Sequence, residues 1–74
     1  MLKTEELADP NSCINKAAND EPVFVLRAHD PVFSKVVRFW VMERVLIGKN
    51  TIEDPEIIEA NELQRYVDAN KGKW

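Results

Sequence analysis

The feature that most constrains this chain is a single apolar run, Val23-Phe24-Val25-Leu26-Arg27-Ala28, fenced by Pro22 on one side and Asp30-Pro31 on the other. Its β-branched and aromatic content and its proline boundaries predict a strand. Alternation places Phe24, Leu26 and Ala28 on one face and Val23, Val25 and Arg27 on the other. No second segment of comparable quality occurs in the 74 residues. A lone strand leaves its backbone N–H and C=O groups without partners, which is costly when they are buried. The economical remedy is pairing with the same strand of a second copy across a two-fold axis.

Two Asp-Pro pairs mark helix starts, with Asp as N-cap and Pro in the first turn, where its missing N–H costs nothing. The first, Asp30-Pro31, predicts a helix running to Ile47 and stopped by Gly48. At 100° per residue, one wide face gathers Val32, Phe33, Val36, Phe39, Trp40, Leu46 and Ile47, with Val41, Met42 and Val45 around the other side. A helix apolar over most of its circumference is covered on more than one side. The second pair, Asp54-Pro55, predicts a helix to Ala69 or slightly beyond, with a stripe of Ala60, Leu63, Val67 and Trp74 and with Tyr66 beside it. A short connection favours an antiparallel pair. Upstream, Ser12 caps a short helix through about Ala18, which Asn19-Asp20-Glu21-Pro22 breaks. Residues 1–11 read as a loose arm with room for a turn of helix, containing the Asp9-Pro10-Asn11 turn. The expected fold is therefore α+β: one domain over residues 1–74, its core over 12–74, with a short helix, one strand and two antiparallel helices. The strand is completed in a homodimer or higher homo-oligomer, with Val23, Phe24, Val25, Val41, Val45 and Trp74 in the interface.

Size argues the same way. Below roughly 70–80 residues a lone core rarely supplies more than ~3–5 kcal/mol, and disulfides, a metal or a partner chain make up the difference. Cys13 is the single cysteine, so no internal disulfide exists, and it reads as an inert or partly buried thiol of a reducing compartment. One Cys and one distant His cannot form a zinc site, and no cofactor is expected. The N-terminus lacks a signal-peptide core, and the apolar stretch from Phe39 to Ile47 is too short for a bilayer. A cytoplasmic protein is expected.

Charge is segregated. Residues 1–26 carry −3, residues 27–50 carry +3 and residues 51–74 carry −3. Either the segments neutralise one another in the fold, or the basic middle forms an anion site. A net acidic chain is a poor non-specific binder of duplex DNA. Within Arg27-Ala28-His29-Asp30, an Arg fork stands beside a helix N-terminus, a combination suited to phosphate or carboxylate. The competing arrangement is a salt bridge from Arg27 to Asp30 or Glu21. Lys16, Lys35 and Arg38 would add positive charge, and Ser12 and Asp30 would bond polar groups of the ligand. His29, without a positioned Ser or carboxylate, gives little basis for an enzyme. Trp74 either docks into a groove or stacks on a ligand.

The stretch Asn11 to Asp30, with Ser12-Cys13, Lys16-Ala17, Asp20-Glu21-Pro22-Val23-Phe24-Val25-Leu26-Arg27-Ala28 and Asp30, resembles small uncharacterised proteins of phages and prophages, as do a Trp-bearing helix (Trp40) and a Trp near the end (Trp74). Small phage proteins often modulate host functions, including immunity, and some counter-defence proteins are oligomers that sequester nucleotide signals. By analogy with these, the expectation is a non-catalytic binding protein that holds a small anionic, nucleotide-type ligand between protomers. The alternative is an inhibitor that blocks a host protein through the acidic C-terminal helix and Trp74. No membrane partner is expected.

Overall fold

A computed structural model describes residues 2–74. It is all-helical, with α1 at Lys3–Ala8, α2 at Cys13–Lys16, α3 at Phe33–Leu46 and α4 at Pro55–Ala69. No strand occurs among the described residues, which overturns the expected α+β class and with it the paired strand. Residues 22–27 take no regular secondary structure and join no ladder. The physical reason is exposure. Val23, Phe24 and Val25 are 55%, 86% and 71% exposed, so their backbone groups meet water and the cost of burying them unpaired never arises.

The fold is organised by the α3–α4 hairpin, whose two ends are pinned by polar contacts. At one end Ser34 Oγ donates to Asp68 Oδ1 at 2.6 Å. At the other, Arg44 Nη2 lies 3.7 Å from Glu56 Oε2. The start of α3 thus meets the end of α4 and vice versa, the antiparallel arrangement that the short connection predicts. The buried apolar residues among those described are Phe33 of α3 and Ile57, Ala60 and Val67 of α4. Ile57 is fully buried. Val37, Val41 and Val45 are half-buried on the same side of α3 as Phe33 and Arg44. Val41 and Val45 therefore belong to the face turned toward α4. Of the wide face that the helical plot singles out, Phe33 at one edge turns inward, while Val32, Val36, Phe39, Trp40, Leu46 and Ile47 are exposed.

The turn between the helices explains why the hairpin closes where it does. Gly48, at φ 77°, takes the left-handed conformation. It donates to Val45 O while Lys49 donates to Arg44 O, the paired bonds of a Schellman cap. Asn50, buried, then joins both helices: its Oδ1 accepts from Arg44 Nε at 2.6 Å and its Nδ2 donates to Asp54 Oδ2 at 2.9 Å. Asp54 also accepts from the Thr51 N–H and hydroxyl. The Thr51 N–H, then the Asn50 amide and the Thr51 hydroxyl, hold its carboxyl below the usual range against a smaller opposing effect of burial. Asp54 therefore begins α4 by its position and its backbone carbonyl, which accepts from Ile57 and Ile58, while its side chain faces back into the turn. Arg44 also sits 5.3 Å from the centre of the Trp40 ring.

The N-terminal arm carries α1, Lys3–Ala8. Asn15 of α2 turns its amide back on the end of α1, donating to the carbonyls of Glu6, Leu7 and Asp9 at 3.2, 3.0 and 2.9 Å. Those are carbonyls that a helix C-terminus leaves unpaired. Ser12, also buried, caps α2 by accepting from Asn15 N. The chain measures 33 × 31 × 19 Å, a slab about two helices thick. No helix among the described residues is long and apolar enough to cross a membrane.

Candidate functional site

Because the hairpin is antiparallel, the N-terminal turn of α3 and the residues after α4 close one end of the slab together. They enclose a cleft of about 410 Å³ between His29, Asp30 and Pro31 on one wall and Val67, Asp68 and Lys71 on the other. That volume is in the range of small-molecule sites. Lys35 and Arg38 project from α3, Lys71 and Gly72 come from the tail of α4, and Trp74 borders the same space.

The acids of the cleft are already engaged. Asp30 Oδ1 accepts from Val32 N at 2.9 Å, forming a turn before the helix. Asp68 is held by Ser34. Lys35, Arg38 and Lys71, by contrast, are exposed and form no ion pair among the described residues. The helix termini decide little. The partial positive charge at the start of α3 is opposed by the partial negative charge at the end of α4, each worth ~0.3–1 kcal/mol near the surface. The side-chain charges therefore set the sign of the cleft, and Lys35, Arg38 and Lys71 outnumber Asp30 and Asp68 by one.

Trp74 is anchored on its own chain. Its ring lies 5.6 Å from that of Tyr66, tilted by 52°. Lys73 Nζ stands 5.2 Å from the Trp74 ring centre and 5.9 Å from that of Tyr66. His29 Nδ1 is 2.9 Å from the Trp74 carbonyl oxygen, which only accepts, so the ring donates there and its other nitrogen is an acceptor when neutral.

The residues expected at the site are only partly brought together. Asp30, Lys35 and Arg38 line the cleft, as does Trp74; Ser12, Lys16 and Arg27 do not. Ser12 is committed to its capping bond in α2, and Lys16 and Arg27 are exposed elsewhere. Arg27 makes no salt bridge to Asp30 or Glu21 among the described residues, since Asp30 bonds Val32 and Glu21 accepts from Ala18 N. Cys13 is exposed rather than partly buried. Lys71 is a cleft-lining cation that sequence reasoning misses. Its signal lies in the hairpin itself, because antiparallel helices return the end of α4 to the start of α3. Among the described residues no group of three or more His, Cys, Asp or Glu side chains is placed to hold a metal ion. No protein-family model matches the chain, and comparison with curated proteins and with solved structures finds no similar protein.

Proposed function

We propose that this chain is a non-catalytic binding protein that captures a small anionic, nucleotide-type ligand in the cleft between the start of α3 and the tail of α4. The observation that supports this reading is the set of three unpaired cations, Lys35, Arg38 and Lys71, around a space whose two carboxylates are already engaged. Arg38 presents a planar fork suited to phosphate, and Lys71 adds a compact charge from the opposite wall. The half-exposed Trp74 ring offers a base-stacking surface beside them. In this reading the protein acts in the cytoplasm of a bacterial host as a phage-derived counter-defence factor that withdraws a nucleotide signal. The cleft is lined from one chain, so a second protomer would add walls to it rather than create it.

Thermal unfolding against a panel of mononucleotides, cyclic dinucleotides and inorganic phosphate tests the reading. A ligand at ~100 times its dissociation constant adds ~2.7 kcal/mol, a rise of roughly 10–20 °C for a domain of this size. Arg38→Ala and Lys71→Ala each remove that rise while leaving the unliganded midpoint within about 2 °C of the parent. A panel that leaves the midpoint unmoved sinks the proposal. A second reading, inhibition of a host protein, draws on a groove of about 340 Å³ where Leu2, Leu63 and Tyr66 lie beside Glu59 and Glu62 on the acidic face of α4. Co-purification of one stoichiometric host protein, lost on Tyr66→Ala, would favour it over ligand capture.

A further inference from the structure

The geometry points to the outer face of α3 as a two-fold interface with a second copy of this chain, distinct from the strand pairing that the sequence suggested and sharing only Lys35 with the ligand cleft, which keeps Arg38 and Lys71. Surface area carries the argument first. A compact monomer of 8.5 kDa exposes about 4,700 Å², whereas this chain exposes 6239 Å². The excess, roughly 1,500 Å², is close to twice the ~800 Å² that each partner contributes to a stable interface of standard size. The radius of gyration, 13.1 Å, likewise exceeds the ~11 Å of a compact chain of this length. Stacking a second slab on a 19 Å thickness through an interface of that size removes about half of the excess of each chain.

The location of the apolar surface selects the face. On α3, Phe39, Met42 and Leu46 are 64%, 61% and 79% exposed. They fall at i, i+3 and i+7, one line on a helix. They lie opposite Phe33, Val37, Val41 and Arg44, the side that packs toward α4. Two charges interrupt this line, Lys35 one turn before Phe39 and Glu43 one turn after it. Eight residues, about 12 Å of helix, separate them, so they cannot pair within one chain. Both are exposed and unpaired among the described residues. If α3 of each copy packs antiparallel across a two-fold axis at Phe39, residue i faces residue 78 − i of the partner. Each Lys35 then faces the partner's Glu43, and the apolar residues of each helix cover those of the other. No other alignment centred on this face matches both charges at once, because their midpoint is Phe39. The occupant is therefore an identical chain.

Solution mass from light scattering or sedimentation tests this. The parent protein gives about 17 kDa at tens of micromolar. F39E lowers the mass to that of one chain, with unchanged helical circular dichroism showing that it still folds. Should F39E fail to fold, the surface charges keep the proposal testable. K35E and E43K each weaken the dimer roughly tenfold or more, since each replaces two attractive contacts by two repulsive ones. K35E combined with E43K restores it. A parent mass of one chain throughout that range, a species other than a dimer, or a double variant as weak as the singles overturns the proposal. R38A, which removes ligand capture, leaves the mass unchanged, so failure of one proposal is separable from failure of the other.

Discussion

Asn50→Ala is the substitution that most directly tests how this hairpin is held. Asn50 is buried in the turn and its amide spans the two helices, accepting from Arg44 Nε at 2.6 Å and donating to Asp54 Oδ2 at 2.9 Å. Both bonds involve a charged partner, a class worth ~1.5–3 kcal/mol apiece. The partners are not sealed from water, since the Arg44 side chain is about one-third exposed, so each loss falls at or below the low end of that range. Truncation then costs about 2–3 kcal/mol in all. A domain of this size loses about 4–8 °C of midpoint per kcal/mol, so the midpoint falls by roughly 10–20 °C. The assay is thermal unfolding by far-ultraviolet circular dichroism at neutral pH, parent against variant at one protein concentration. Asn50→Asp separates polarity from complementarity. It keeps an acceptor for Arg44 but sets a second carboxylate against Asp54, so it remains well below the parent at pH 7 and recovers partly as the pH falls. A midpoint for Asn50→Ala within about 2 °C of the parent would refute the claim that this amide joins the helices.

Three further outcomes follow from the same structure. Ile57→Ala, at the fully buried position of the core, costs about 3–4 kcal/mol, which leaves a chain of this size largely unfolded at 37 °C; a cooperative melt close to that of the parent would contradict it. Gly48→Ala puts a side chain on a φ of 77° with nothing within 4 Å of the added carbon, so only the backbone penalty of about 1 kcal/mol applies, and a midpoint drop beyond about 10 °C would show that another contact is lost. The Asp54 carboxyl is held below its ordinary value by its hydrogen bonds, so its contribution is present above the usual carboxylate pKa of about 3.9 and is lost as the pH falls through the lower folded-state value; the acid limb of a midpoint-versus-pH curve should shrink in Asp54→Asn, and an unchanged limb would contradict the assignment.

How much of the fold the sequence discloses depends on whether local chemistry or tertiary packing decides each element. Asp54-Pro55 and the stripe of Ala60, Leu63 and Val67 are local signals, and α4 spans Pro55–Ala69. Ile57 extends the same stripe toward the start of the helix, but its neighbour Ile58 is equally apolar, and only the closed hairpin shows which of the two turns inward. Asp30-Pro31 sets the region of α3 correctly but not its first residue: the Asp30 carboxylate takes the Val32 N–H, a turn forms first, and the regular helix starts at Phe33. Ser12 caps as expected, yet α2 ends at Lys16, short of Ala18. The strand fails for a different reason. Its composition is correct for a strand, but pairing needs a partner segment, and a run left exposed can satisfy its backbone with water.

Side selection on α3 shows where sequence reasoning stops. Apolar residues surround most of this helix, so periodicity alone cannot say which side meets α4. The choice is made by polar residues that no hydrophobic plot weighs: Ser34 reaches Asp68 and Arg44 reaches Asn50 and Glu56, and these contacts turn Phe33, Val37 and Val41 inward. The same rotation carries Phe39, Met42 and Leu46 outward and sets Arg38 over the cleft opposite Lys71. One rotational setting of α3 thus determines both the apolar face assigned to a second copy and the cations assigned to a ligand. Turning the helix to bury Phe39 would break the polar pins at both ends of the hairpin and withdraw Arg38 from Lys71. That coupling is why the polar residues of α3, rather than its apolar ones, fix how the helix is set against α4.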